Sequence, residues 1–132
     1  MPLPTAPPSE VLPLQSFSLQ VTVHIKPEDL DAFHKAMNPV FETVCNEPEL
    51  LYFEIFQDPD SPGTLSWVEN WRGSVEWLMK VQLQKEYYRP YLEATEPMFI
   101  KEREFKVLRR APGYVSGKRE NFREAFVGEL KG

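Results

Sequence analysis

Apolar and polar residues alternate strictly from Phe17 to Ile25: Phe17, Leu19, Val21, Val23 and Ile25 fall on one side, Ser18, Gln20, Thr22 and His24 on the other. A period of two sends successive side chains to opposite faces of a pleated chain, so this segment predicts a strand with one buried face. The period then changes. Leu30, Phe33, His34, Met37, Phe41 and Val44 recur at three- and four-residue intervals and predict an amphipathic helix. Pro27-Glu28-Asp29 opens it, where a missing N–H is harmless and negative charge suits the helix dipole. Pro39 lies inside the stripe and, by removing a backbone hydrogen bond, is expected to kink the helix or divide it.

Leu50 to Gln57 is rich in aromatic and branched residues, and Asp58-Pro59-Asp60-Ser61-Pro62-Gly63 is dense in turn formers. Thr64 to Trp71 is therefore expected to pair back as the second arm of a hairpin. Residues 74–96 read as helix, interrupted at Pro90 and ended by Pro97. A last strand is expected in Arg103 to Arg109, where Phe105 and Val107 share a face. The order strand, helix, strand, strand, helix, strand predicts an α+β, ferredoxin-like β-α-β-β-α-β domain with both helices on one face of an antiparallel sheet. The other face is left bare, and a face-to-face homodimer is the simplest cover for its apolar part.

Five of the thirteen prolines fall in residues 1–13, which read as a leader unable to enter a helix interior or a central strand. The domain is expected over residues 14–110. Ala111-Pro112-Gly113 then turns the chain into a tail, 111–132, in which the spacing of Phe122, Phe126 and Leu130 predicts a short helix. A chain of 132 residues suits one domain, and its net charge of -5 provides no basic field for a phosphate backbone, which argues against nucleic acid as partner. No apolar run approaches the roughly 20 residues needed to span a bilayer. The N-terminus lacks the pattern of a secretion signal, and the single Cys45 excludes an internal disulfide. These features read as a soluble, cytoplasmic, reduced protein.

All three tryptophans lie in WVENWRGSVEW, residues 67–77. Trp67 and Trp71 share a strand face with Glu69 between them, and Trp77 follows on the next helix. The indoles either fill the core or wall a cavity for an aromatic ligand. Glu69 needs a partner or solvent if it is buried. His34, on the apolar stripe, and His24, at the end of the polar strand face, are the candidate bases, because imidazole exchanges protons near neutral pH. The alternative for either is a histidine satisfied by a backbone carbonyl. Gln20, Asn38, Asn70 and the hydroxyls of Tyr87, Tyr88 and Tyr91 are candidate donors. The broken helix around Tyr88, Tyr91 and Met98 either covers the sheet or forms the mouth of a pocket. Two histidines without short ligand spacing make no metal motif, and no glycine-rich phosphate loop is present, so no metal or cofactor is expected. Cys45, beside Val44, reads as buried filler without an activating partner.

The run NEPELLYFEIFQDPDSPGTLSWVENW, residues 46–71, resembles the antibiotic-biosynthesis monooxygenase family through Glu47-Pro48, Phe53-Glu54 and Glu69-Asn70-Trp71, with Glu49 where that family usually has glycine. In element order the resemblance spans about residues 16–108. It implies a dimeric α+β barrel with a pocket between sheet and helices in each subunit. It also implies chemistry drawn from cofactor-independent oxygenation of aromatic polyketides, haem binding and degradation, decarboxylation or isomerisation. The family often carries a histidine on the second helix about nine residues after the matched tryptophan. Here Lys80 and Val81 stand there, which removes the residue that a haem-degrading reading would need.

Together these features point to a cofactor-independent monooxygenase taking O2 and a small aromatic, polyketide-like or other hydrophobic substrate. His34, Trp71 and His24 are expected to be catalytic, and Gln20, Asn38, Phe41, Trp67, Asn70, Trp77 and Tyr88 to contact substrate. The alternative is a dimeric barrel that binds a ligand without turning it over, as a carrier or stress-associated protein, or a related decarboxylase or isomerase.

Overall fold

Strand alternation is realised in β1 (Ser16–His24) and β3 (Ser61–Arg72), which pair antiparallel with Val21 opposite Trp67 and Leu19 opposite Glu69. The computed structural model describes residues 15–118, Glu120 and Asn121. The leader, residues 1–13, and the helix expected over Phe122–Leu130 lie outside the described residues. Strand β2 (Leu50–Asp58) pairs with β3 and strand β4 (Glu104–Arg109) with β1, all antiparallel, giving the order β2-β3-β1-β4. Between them run α1 (Leu30–Cys45), α2 (Val75–Lys80) and α3 (Tyr88–Thr95). This is the α+β, ferredoxin-like arrangement expected from the element order.

The core lies between one face of the sheet and the helices. Phe17, Leu19, Val21 and Val23 of β1 and Leu65, Trp67 and Trp71 of β3 are buried against Phe33, Met37, Val40 and Val44 of α1. Those four α1 positions repeat at three to four residues, as one face of a 3.6-residue helix must. Apolar burial along this seam is the main stabilising contribution. At the end of the sheet Gly63 lets two backbones meet: its carbonyl accepts from Ile25 N–H at 2.8 Å, and a Cβ at Gly63 would stand 2.1 Å from the Ile25 carbonyl oxygen. Only glycine fits there.

Two helix expectations are corrected, and between the alternatives for Pro39 division is ruled out. Pro39 does not divide α1, which runs through it as one α-helix. The proline is exposed, as is Lys35, whose carbonyl it leaves without a helical donor, and the Thr43 hydroxyl donates to the Pro39 carbonyl at 3.0 Å. Pro27–Asp29 forms a 3₁₀ turn, and the α-helix begins at Leu30. The expected break at Pro90 occurs earlier: α2 ends at Lys80, Gln82–Gln84 is a 3₁₀ turn, and α3 starts at Tyr88. Pro90 is the third residue of α3, in the first turn, where a backbone N–H has no helical partner to lose. Helix α2 is capped by Ser74, whose hydroxyl oxygen accepts from Trp77 N–H at 3.0 Å.

The second sheet face carries Ser18, Gln20 and Thr22 beside Ser66, Val68 and Asn70, with exposed Phe56 and Leu108 on the flanking strands. It is a mixed polar and apolar surface. No helix among the described residues is long and apolar enough to cross a membrane.

Candidate active site: a buried carboxyl in an apolar cavity

Strand β3 turns Leu65, Trp67, Glu69 and Trp71 inward because residues two apart share a face. An acid between two indoles is thereby carried into the core. Each indole has one N–H, and the two are given to different carboxyl oxygens: Trp67 Nε1 donates to Glu69 Oε2 at 2.8 Å and Trp71 Nε1 to Oε1 at 3.0 Å. Burial raises the Glu69 pKa above its ordinary value, and the two indole hydrogen bonds, which favour the charged form, offset only part of that. A carboxyl so placed holds a proton more tightly than a surface acid and is a stronger base once ionised.

Glu69 lines a cavity of about 180 Å³ between the sheet, α1 and α3. Its walls are apolar: Leu19, Val21 and Trp67 from the sheet, Met37, Val40 and Phe41 from α1. Three further polar side chains reach it, Tyr88, Tyr91 and Arg103. Burial pushes the Tyr91 phenol up to about 12, against the lowering influence of the Arg103 charge, so its proton stays in place at neutral pH. Among the described residues, the Tyr91 hydroxyl and Arg103 Nη2 are buried and have no hydrogen-bond partner. The guanidinium lies over the Phe99 ring at 5.1 Å and the Phe105 ring at 6.0 Å, with Nη2 3.9 Å from Glu96 Oε2, too far for a hydrogen bond. The cavity thus presents a base and donors still seeking an acceptor.

A larger cleft, about 600 Å³, lies on the opposite sheet face between Ser18, Tyr52, Asn70 and residues 110–117. Among the described residues its lining includes no carboxyl. The smaller cavity is therefore the candidate site.

No family model matches the chain. A protein of Pestalotiopsis microspora, provisionally named a monooxygenase, is 34% identical over 101 residues, spanning 76% of this chain and 84% of that one. A solved structure from Caulobacter crescentus, provisionally named an antibiotic biosynthesis monooxygenase, superposes with a TM-score of 0.68 at 18% identity over 78% of this chain and 97% of that one. One so named from Nitrosomonas europaea gives 0.67 at 17% identity over 79% and 96%. This chain belongs to one family with the Pestalotiopsis monooxygenase and has the fold of the antibiotic biosynthesis monooxygenases.

In this family member the structure separates the residues singled out from the sequence. Phe41, Trp67 and Tyr88 line the cavity, while Trp71 is fully buried behind Glu69 and Trp77 packs edge-on against it with ring centres 5.6 Å apart. His34 and Asn38 do not reach it. They are exposed on α1, because the buried phase of the helix runs through Phe33, Met37, Val40 and Val44, and His34 is one step of about 100° beyond Phe33. His24, Gln20 and Asn70 are turned to the opposite sheet face. There His24 Nε2 lies 2.7 Å from Glu104 Oε2 and its Nδ1 3.3 Å from the Thr64 hydroxyl, and Gln20 Nε2 donates to Ser18 Oγ at 3.2 Å. Lys80 is exposed and paired with Glu76 at 2.8 Å. Cys45, expected to be buried, is exposed at the end of α1.

Arg103 stands one residue before β4, in phase with Phe105 and Val107 on the strand expected from the sequence, and carried no signal of a place in the cavity. Glu69 did have one: the period-two phase of Trp67 and Trp71 is also its own. Among the described residues, no group of three or more His, Cys, Asp or Glu side chains is arranged to hold a metal ion.

Proposed function

We propose that the chain is a cofactor-independent monooxygenase acting on a small, hydroxylated or carbonyl-bearing aromatic molecule, with Glu69 as its base. The observation that carries this reading is the buried Glu69 carboxyl, bracketed by two indole donors at the wall of an apolar cavity.

Triplet O2 reacts slowly with closed-shell molecules, but an electron-rich carbanion or phenolate can pass it one electron. Glu69 takes a proton from an acidic C–H or O–H of the bound ring. The anion transfers an electron to O2, and recombination forms a C–O bond as a peroxide. Glu69 returns the proton, and loss of water leaves a carbonyl. Two substrate hydrogens depart in water with one oxygen atom, the other stays on carbon, and all four electrons come from the substrate. No external reductant is required. The protein has to hold the anion in a dry site and orient it, which an apolar cavity with few donors does. Tyr91 and Arg103 supply donors for the oxygen on which negative charge collects.

Cavity volume restricts the substrate. An apolar cavity of about 150 Å³ is known to accept benzene, so about 180 Å³ suits one or two fused rings better than three. Oxygen uptake by chelator-treated protein should therefore be faster with naphthols than with anthrones. Absence of uptake across such a panel, with ligands still quenching the indoles, would move the reading to a binding protein.

The reading includes a homodimer joined through the open sheet face, supported by exposed Phe56 and Leu108 there. Sedimentation equilibrium should give twice the chain mass, and a single-chain mass at every concentration would remove the dimer.

A further inference from the structure

Behind Tyr88 runs a chain of polar side chains that the proton transfer above does not use. Glu47 Oε2 accepts from Lys85 Nζ at 2.8 Å and from the Tyr87 hydroxyl at 2.6 Å. Gln82 is fully buried, and its Nε2 donates to the Tyr87 oxygen at 2.6 Å and to the Tyr88 oxygen at 2.8 Å.

Counting protons determines the direction of every bond in this chain. A carboxylate only accepts, and the Lys85 and Tyr87 hydrogen bonds hold Glu47 below the ordinary carboxylate range. The single Tyr87 proton is therefore spent on Glu47. The Tyr87 oxygen can then only accept from Gln82, so the amide must present Nε2 and not Oε1 to the two phenols. Such an amide cannot take a proton from Tyr88 and gives it one hydrogen bond instead. The Tyr88 proton is taken by neither Gln82 nor Glu47, which leaves the Tyr87 oxygen and a ligand in the cavity as its acceptors. Gln82 Oε1 is left buried without a partner among the described residues. An unsatisfied buried carbonyl is costly, and here it accompanies the orientation that Glu47 imposes.

We infer that the Glu47–Tyr87–Gln82 chain is a positioning device that sets Tyr88 as a hydrogen-bond donor into the cavity, where it receives the oxygen of a phenolic or enolic substrate. This rests on the monooxygenase reading and deepens it by naming the substrate feature the site selects: an oxygen on the ring that gains negative charge as Glu69 removes the proton. Burial, the largest influence on Tyr88, pushes its phenol up to about 12, so the donated proton is not lost near neutral pH. Tyr87 and Glu47 do not line the cavity. Any effect of theirs on ligand selection must pass through Tyr88, which Tyr87 reaches both through Gln82 and by direct ring contact with centres 4.7 Å apart.

The test is the preference of the protein for 2-naphthol over naphthalene, taken as the ratio of their dissociation constants in equilibrium dialysis. Tyr88→Phe should lower that ratio about five- to tenfold, the worth of one hydrogen bond. Tyr87→Phe should lower it nearly as much, because the freed amide can rotate and accept the Tyr88 proton on Oε1. Glu47→Ala should act likewise, whereas Glu47→Gln, which keeps an acceptor for Tyr87, should stay near the wild-type ratio. Combining Tyr87→Phe with Tyr88→Phe should add nothing to Tyr88→Phe alone. A fall in Tyr88→Phe with no change in Tyr87→Phe or Glu47→Ala, all three folded by circular dichroism, overturns the positioning device while leaving the cavity as a binding site. An unchanged ratio in every variant also overturns it. Failure of both probes to bind the wild-type protein sinks the proposal together with the reading it rests on.

Discussion

Turnover falls about a hundred- to ten-thousand-fold when Glu69 is replaced by glutamine, the range that a positioned general base contributes. Glutamine matches the shape of the side chain and keeps one carbonyl oxygen for an indole, so the variant should fold and still bind aromatic ligands. The proton acceptor is gone, together with the acceptor of one indole N–H. The loss should therefore appear in kcat more than in KM, measured as oxygen uptake with the best naphthol. Equal uptake by the variant would remove Glu69 from the reaction.

The same residue predicts two pH dependences of opposite sign. A base must be ionised, so kcat/KM should rise with pH through the raised pKa of Glu69, and the acid limb should lie above the ordinary carboxylate value of 4.5. Folding stability should run the other way. A carboxyl whose folded pKa exceeds its unfolded pKa favours the folded state while both forms are protonated, and that contribution is lost as pH rises through the folded value. Urea titrations of wild type and Glu69→Gln across this window should show the wild type losing stability with pH relative to the variant.

Trp71→Ala should cost about 3–5 kcal/mol of stability, the usual range for removing a fully buried large aromatic. The indole packs against Trp77 and donates to Glu69, so its loss opens a void and strips one of the two hydrogen bonds that favour the charged carboxylate. Trp71→Phe separates the two effects. It keeps most of the packing and removes the donor, and should move the acid limb of kcat/KM to higher pH with a smaller loss of stability. An unfolding midpoint unchanged in Trp71→Ala would contradict the packing seen here. An unmoved limb in Trp71→Phe would show that the indole does not tune Glu69.

The sequence by itself determined the architecture, because β1, β3 and α1 repeat a period that only one local geometry can bury, and turn residues and prolines separate the other elements. Alternation from Phe17 to Val23 and from Leu65 to Trp71 specified two strands and their inner faces, and hence that Glu69 travels inward with the indoles. The stripe from Phe33 to Val44 specified α1. Periodicity did not resolve the edge of that stripe: His34 differs from Phe33 by one helical step, and whether the step faces the sheet or the solvent depends on where the helix axis lies. Nor could it choose between the two faces of β1 for the cavity, since both were compatible with a strand. Only the tertiary structure decided these, because α1 and α3 cover one face and thereby turn Gln20, His24 and Asn70 away from the cavity. Arg103 and the chain from Glu47 through Gln82 to Tyr88 join residues far apart in sequence, through contacts that exist only after the helices have packed on the sheet.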